Sequence, residues 1–494
     1  MSSSASRTSS RAPIRAHLRR WASPLVAAAC GSTPHSSGLA RLASGPFSAL
    51  CRAGRFTEGK RPRCALPLRT FLALVCAASL AGPAAAAEVW LDVSKAGGKK
   101  IVLALPPLGD PESAEAASLR QVLENDLVTT GYFSLLALSG PQLRQAAQDR
   151  GAGKPEAGAW SAWGAELLLS AEAARRDGRL VLKATLTDTG AGTRILAHEE
   201  SDAPEETVRL AHRLADAVLR ALTGSPSLAQ TRIVATWSRS PGAPKRLALM
   251  DYDGRNLRVL SPEGVLALHP AWFPDRTRVA YVTYRQGRPE IVAQNVTTGQ
   301  VRSLAFFPGL NASPAISPDG KQMLLVLSRD GNPEVYRMAV DGSELKRLTF
   351  TPAVETSPVW SPDGSQIALV SDQGGGPQIH LLGASGGRMR RVSFVGNYAT
   401  SPDWSPRGDR IVFTAQIEST YQLVLLDPAT GDQKQLTFDA EHKENPAFAP
   451  NGRHIVFSQG RGSTYRLAII DSITGERFRV TREKGSFTSP AWSP

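Results

Sequence analysis

A proline motif repeated six times at 44-residue intervals constrains this chain more than any other feature of it. Its prolines are Pro270, Pro314, Pro358, Pro402, Pro446 and Pro490, and the fullest copy reads Ser357-Pro358-Val359-Trp360-Ser361-Pro362-Asp363-Gly364. A repeat in the 40s made of short strands is the mark of a β-propeller blade. In Ser-Pro-Asp-Gly, proline presets φ at the second turn position and glycine accepts a left-handed conformation, so each copy reads as a strand ending in a tight turn. Arg407-Gly408 and Asn451-Gly452 are variants of that turn. The aromatic position, Trp272, Trp360, Trp404, Phe448 and Trp492 with Ile316 in one copy, predicts a side chain packed between neighbouring blades.

Counting strands gives the blade number. Six first strands are present, but only five are followed by a full set of three more. The missing set precedes the first motif, at Ile233 to Thr236, Arg246 to Met250 and Leu257 to Leu260. Pairing the strand around Trp492 with Ile233 would close a ring of six blades and satisfy edges that otherwise template aggregation. The fold class expected is therefore an α/β N-terminal domain followed by an all-β six-bladed β-propeller at residues 230–494.

Composition matters mainly for what it excludes. The formal charge is +13, yet residues 1–87 hold twelve Lys or Arg against the single acid Glu58, so residues 88–494 carry about +2. That is no footprint for a nucleic-acid backbone. Arg61, Arg63 and Arg69, the apolar run Phe71 to Leu80 and the small residues through Ala87 have the order of a secretory signal peptide, cleaved after Ala87. The stretch ahead of it, residues 1–60, reads as an upstream extension. All four cysteines, Cys30, Cys51, Cys64 and Cys76, fall in this leader, so neither disulfides nor thiolate-bound metal are expected in residues 88–494.

Residues 88–229 read as a small α/β domain. Ile101 to Leu105 is a buried strand, and Leu119, Val122, Leu123 and Leu127 recur at helical spacing up to Gly131. Ser139 and Pro141 begin a second helix. Two strands flank Asp177-Gly178, a hairpin dipeptide, and Arg194 to Glu199 adds another. Asp202 is the expected N-cap of a closing helix whose buried face carries Val208, Ala211, Leu214, Val218 and Leu222.

Propeller geometry gathers the loops that lead into the first strands at one mouth of the central channel. The candidate partner-binding residues there are His269, Leu310, Asn311, Ser313, Glu355, Thr356, Thr400, Glu444, Asn445 and Thr488. They are short, polar and mostly uncharged, which suits a hydrogen-bonded protein interface; Ser or Asn before Pro also serves simply to start a turn. A glycine-flanked serine of the hydrolase elbow type is not expected, which argues against a fused peptidase, and His198-Glu199-Glu200 lacks the second histidine of a zinc helix. Asp251-Tyr252-Asp253-Gly254 matches turns of other repeats better than a calcium loop, and His380 and His454 read as structural. No catalytic residue, metal ligand or cofactor is assigned.

Arg232-Ile233, Asp251-Tyr252-Asp253-Gly254, Leu268-His269-Pro270-Ala271-Trp272, Ser371-Asp372-Gln373 and the final Ser489-Pro490-Ala491-Trp492-Ser493-Pro494 resemble the TolB family of the Tol-Pal envelope system. In the first domain, Glu88-Val89, the stretch from Asp126 to Phe133, Trp160-Ser161-Ala162-Trp163-Gly164 and Asp188-Thr189-Gly190 match as well. The resemblance implies a monomeric, non-enzymatic periplasmic scaffold that reaches membranes only through its partners. It implies binding of the peptidoglycan-associated lipoprotein Pal through the propeller. Contact with the inner-membrane protein TolA would fall to the N-terminal segment Glu88, Val89, Trp90, Leu91, Asp92 and Val93, in which Trp90 and Asp92 depart from the family pattern. Outer-membrane integrity and constriction at division would be its service. The alternative is a propeller accessory to a separate peptidase, or one that binds glycan.

Overall fold

The computed structural model describes residues 99–109, 113–224 and 228–494. All of these fall in one compact unit, Ala85–Pro494. The segment Glu88 to Val93 lies outside the described residues, as do the leader and Pro226.

The first domain runs β1 (Ile101–Ala104), α1 (Ala114–Thr129), β2 (Phe133–Leu135), α2 (Gly140–Ala152), α3 (Ala157–Ala162), β3 (Leu167–Arg176), β4 (Arg179–Asp188), β5 (Arg194–Asp202) and α4 (Thr207–Thr223). Its sheet has the order β2-β1-β3-β4-β5, parallel around β1 and antiparallel from β3 onward. Asp177 and Gly178 both take positive φ and turn β3 into β4. α1 is capped by Ser113, whose Oγ accepts from Ala116 N, and α2 by a Ser139/Gln142 capping box. The apolar face of α4, with Leu210, Ala211, Leu214, Val218 and Leu222, packs with Leu119, Val122 and Leu123 of α1 into the core. Val208 is only partly buried against it.

Asp202 does not cap α4. It ends β5, a 3₁₀ turn at Pro204–Glu206 intervenes, and Glu206 holds the cap position. The Asp202 carboxylate accepts instead from Arg209 and Arg213 of α4. The Arg209 hydrogen bond first, and the Ala203 N–H next, hold it down to about 2. A helix-start pattern read locally cannot see that a salt bridge two turns downstream uses the same carboxylate.

The rest of the chain is six four-stranded antiparallel sheets, the blades of a closed ring. The first comprises Ala267–Trp272, Arg278–Thr283, Glu290–Asn295 and Val301–Ala305. Blades two to five repeat that order, starting at Asn311–Ile316, Glu355–Trp360, Ala399–Trp404 and His442–Phe448. Blade six takes its innermost strand, Ser486–Trp492, from the chain end and the other three, Arg232–Ser238, Arg246–Asp251 and Arg258–Val259, from the propeller's start. Trp492 stands opposite Ile233, and the junction is tied by Ser493 N to Arg232 O at 2.8 Å and Arg232 N to Ser493 Oγ at 2.9 Å. The motif aromatics wedge the blades together as their spacing predicts. Trp272 Nε1 donates to Ala491 O and Trp360 Nε1 to Ala315 O, each at 3.1 Å and each on the preceding blade. Trp404 donates within its own blade, to Gly408 O.

Candidate functional site

The repeated proline sits where an innermost strand is bulged. In every blade the pairing with the second strand slips at the motif, as between Thr356/Val370 and Val359/Ala368. Proline has no N–H to give the ladder, so within a sheet it belongs on an edge or at a bulge. The residue before it takes a left-handed conformation in all six blades: His269, Ser313, Ser357, Ser401, Asn445 and Ser489 have φ of 50, 47, 50, 52, 52 and 48°. Non-glycine residues rarely sit there, and the six-fold recurrence turns these side chains toward one channel. With the motif prolines they line a cavity of about 550 Å³.

Two ionisable groups stand among the residues that line the channel. His269 is exposed to it, and desolvation by the walls first, then the Lys245 charge, keep its imidazole below the ordinary value and so neutral at neutral pH. Asp403 stands where other copies have alanine or valine, with its carboxylate accepting from Phe448 N of the next blade at 2.6 Å. Desolvation by the surrounding protein pushes it up to about 7, against the hydrogen bonds from Phe448 and Trp404.

His269, Ser313 and Asn445 thus line the channel. Leu310, Thr356, Thr400, Glu444 and Thr488 stand two to four residues before the prolines, half-buried at the incoming ends of the strands. Glu444 accepts from Tyr465 Oη at 2.8 Å. Asn311 and Glu355 need correction, because both are fully buried. The Asn311 side chain bonds Phe307 N and O, and Glu355 Oε1 accepts from Thr351 and Ser371 hydroxyls at 2.7 Å. They brace the incoming loops from within and offer a partner no atoms.

The opposite face of the ring holds an unforeseen cluster. An innermost strand runs from its incoming loop to the Ser-Pro-Asp-Gly turn, so those turns, and the turns between third and fourth strands, share the far face. There Asp126 of α1 accepts from Tyr252 Oη at 2.6 Å and pairs with His212 Nδ1 of α4 at 2.7 Å. Burial lowers the His212 pKa, but the Asp126 hydrogen bond and charge, aided by Asp253 and Asp251, outweigh it and leave a net rise. Asp126, His212 and Asp253 bring ligand atoms within 4.8 Å of one another. Both Asp126 oxygens are engaged and Asp253 pairs with Arg255 at 3.0 Å, so the cluster is a hydrogen-bonded seam between domains. Tyr252 does lie in a turn, closed by Gly254 N to Asp251 O, and a Cβ on Gly254 (φ 87°) would lie 2.2 Å from Val480 O.

A second seam contact is a buried ion pair. Arg453 bonds Asp471 at 2.5 to 3.0 Å, donates to Gly131 O of the first domain and lies 4.4 Å from the Tyr132 ring centre. Gly131 (φ 75°) lets the domains meet, since a Cβ there would lie 2.6 Å from both Arg453 and Asp471 atoms. These contacts join residues 86, 126 and 322 positions apart, beyond the reach of any local pattern.

Among the described residues, hydrolytic chemistry finds no assembled site. Contrary to the expectation of no glycine-flanked serine, Gly383-Ala384-Ser385-Gly386-Gly387 has the spacing of a nucleophile elbow, but it is the turn after the strand Gln378–Gly383 and leads to another strand. Ser385 O there accepts from Lys346 Nζ. A cavity of about 510 Å³ in the first domain is lined by charges of both signs, including Asp149, Arg150, Lys154, Glu172 and Lys183.

Fold and site together define a propeller protein with an α/β domain docked on one face of the ring and a bulged, proline-lined channel at its hub. The chain belongs to the TolB family. The model described as the TolB beta propeller domain matches residues 219–494, and that of the TolB amino-terminal domain matches residues 89–195. The Tol-Pal system protein TolB of Methylococcus capsulatus is 32% identical over 246 residues, 49% of this chain and 56% of the relative. That of Bordetella pertussis is 32% identical over 253 residues, 50% and 55% of the two chains. The chain spans about half the length of the curated relatives it matches. The crystal structure of TolB from Acinetobacter baumannii superposes with a TM-score of 0.71 at 28% identity, covering 80% of this chain and 97% of that one.

Proposed function

We propose that this chain is a non-enzymatic periplasmic scaffold of the Tol-Pal system, which holds the lipoprotein Pal at the incoming-loop face of its propeller and TolA through Glu88 to Val93. In that role it supports outer-membrane integrity and constriction at division. One observation carries the reading: the α/β domain takes the far face, so among the described residues no other domain covers the face ringed by His269, Thr356, Thr400, Glu444 and Thr488. The half-buried polar rim and the neutral His269 suit a hydrogen-bonded interface without buried charge.

Calorimetric titration of the chain beginning at Glu88 with the soluble domains of the same organism's Pal and TolA tests this. Saturable binding of both is expected, with TolA binding lost when residues 88–93 are removed and Pal binding weakened by His269→Ala. Absence of Pal binding, or binding of muropeptide fragments alone, would replace the scaffold with the glycan-binding alternative.

A further inference from the structure

An arc of aromatic rings runs round the same face, one per blade over four consecutive blades. Phe306, Phe350, Phe394 and Phe438 recur at the blade period, each just after an outermost strand. Phe350, Phe394 and Phe438 are 73, 65 and 75% exposed, and Phe306 is half-buried. Rings of that size are seldom left so open without a reason. The exposure is built in. The preceding Thr349, Ser393 and Thr437 point inward, each hydroxyl accepting an N–H from the third strand, at Val335, Ile379 and Leu423. Beyond that anchored residue the chain leaves the strand, and the next side chain faces solvent.

Three of the four rings are also held in place. Arg288, Arg347 and Arg391 lie 4.3, 4.9 and 5.1 Å from the ring centres of Phe306, Phe350 and Phe394. Arg347 and Arg391 are anchored in turn, their Nε donating to the carbonyls of Thr349 and Ser393. Arg347 is neutralised by Glu334, whereas Arg288 and Arg391 are exposed and, among the described residues, no carboxylate pairs with them. Tyr284 and Val354, also exposed, lie in loops of this face, while Ile473 is the large exposed apolar residue on the far face among the described residues. Fixed aromatic surface edged by guanidinium is ready-ordered for binding, with little rotamer freedom left to lose.

We infer that the Phe350, Phe394 and Phe438 arc, with Arg288 and Arg391, is a docking rim for a folded protein partner that presents apolar side chains bordered by carboxylates. This deepens the proposed function and rests on it: the partner seated at the mouth would extend outward over these blades.

The test is titration of the soluble domain of the same organism's Pal against wild type, F350S/F394S/F438S, R391E and H269A, with melting curves for each. The rim predicts binding weakened at least tenfold by the triple substitution and severalfold by R391E, both with wild-type melting. Wild-type affinity in the triple variant, alongside weakened binding in H269A, would overturn the rim and leave the scaffold reading intact. Failure of the wild-type chain to bind would overturn both.

Discussion

The two faces of the ring are built on opposite principles. On the far face, buried charge and hydrogen bonding join two domains: Arg453 with Asp471 against Gly131 and Tyr132, and Asp126 with His212 against Tyr252. On the incoming-loop face, Arg288 and Arg391 are exposed, the central histidine is neutral, and large apolar rings stand in solvent. A buried polar seam fixes one geometry and is costly to break at one end, whereas open rings over a braced loop add little to stability and remain available. The same 44-residue unit supports both, because its two ends carry different turns.

Changes placed on either face test that contrast. Both faces depend on ring closure, so removal of Ser489 to Pro494 should have the largest effect. Losing Trp492 alone costs about 3–5 kcal/mol, so a melting temperature lower by roughly 10 °C or more is expected. A truncated chain that melts like the full one would show the ring does not need its borrowed strand. Next is Asp471→Ala, which strands the buried Arg453 at the seam and should cost about 3–5 kcal/mol in chemical denaturation. Phe394→Ser should change stability by no more than about 0.5 kcal/mol. Equal losses in these two variants would erase the distinction between seam and rim.

The seam should also respond to pH on two sides. His454, buried and with desolvation as the main cause, is held down to about 4 from 6.5. Being neutral in the fold and protonated when unfolded, it contributes stability above about 6.5 that is lost as pH falls toward 4, at most about 3 kcal/mol. His212 works the other way. Its raised pKa gives stability that is full below 6.5 and is lost as pH rises through the folded value. Denaturation series across pH should therefore show a maximum between the two limbs. His454→Asn should flatten the acid limb and His212→Gln the alkaline one.

The architecture was largely legible in the sequence because it is periodic. Six prolines, a hairpin dipeptide at Asp177-Gly178 and a strand count that demanded closure at Trp492 each state a local rule that the fold obeys. What escaped was either non-local or a matter of orientation. No pattern links Asp126 to Tyr252, or Gly131 to Arg453. α3, six residues long, is too short to show a helical period. Asn311 and Glu355 sit in the right loops, but a polar side chain turned inward reads the same as one turned outward. The phenylalanines recur at the period of the prolines over four blades, yet the exposure of Phe350, Phe394 and Phe438 goes with the anchored hydroxyl before each, which becomes meaningful only when the third strand's N–H is seen to meet it.

Hydrogen exchange of the chain with and without the soluble domain of its Pal, read peptide by peptide, tests the division of labour between the faces most directly. The account predicts new protection in the incoming loops around His269, Phe350, Phe394 and Phe438, with the turns at Tyr252 and Arg453 unchanged. Protection appearing at those far-face turns while the incoming loops stay open would contradict it.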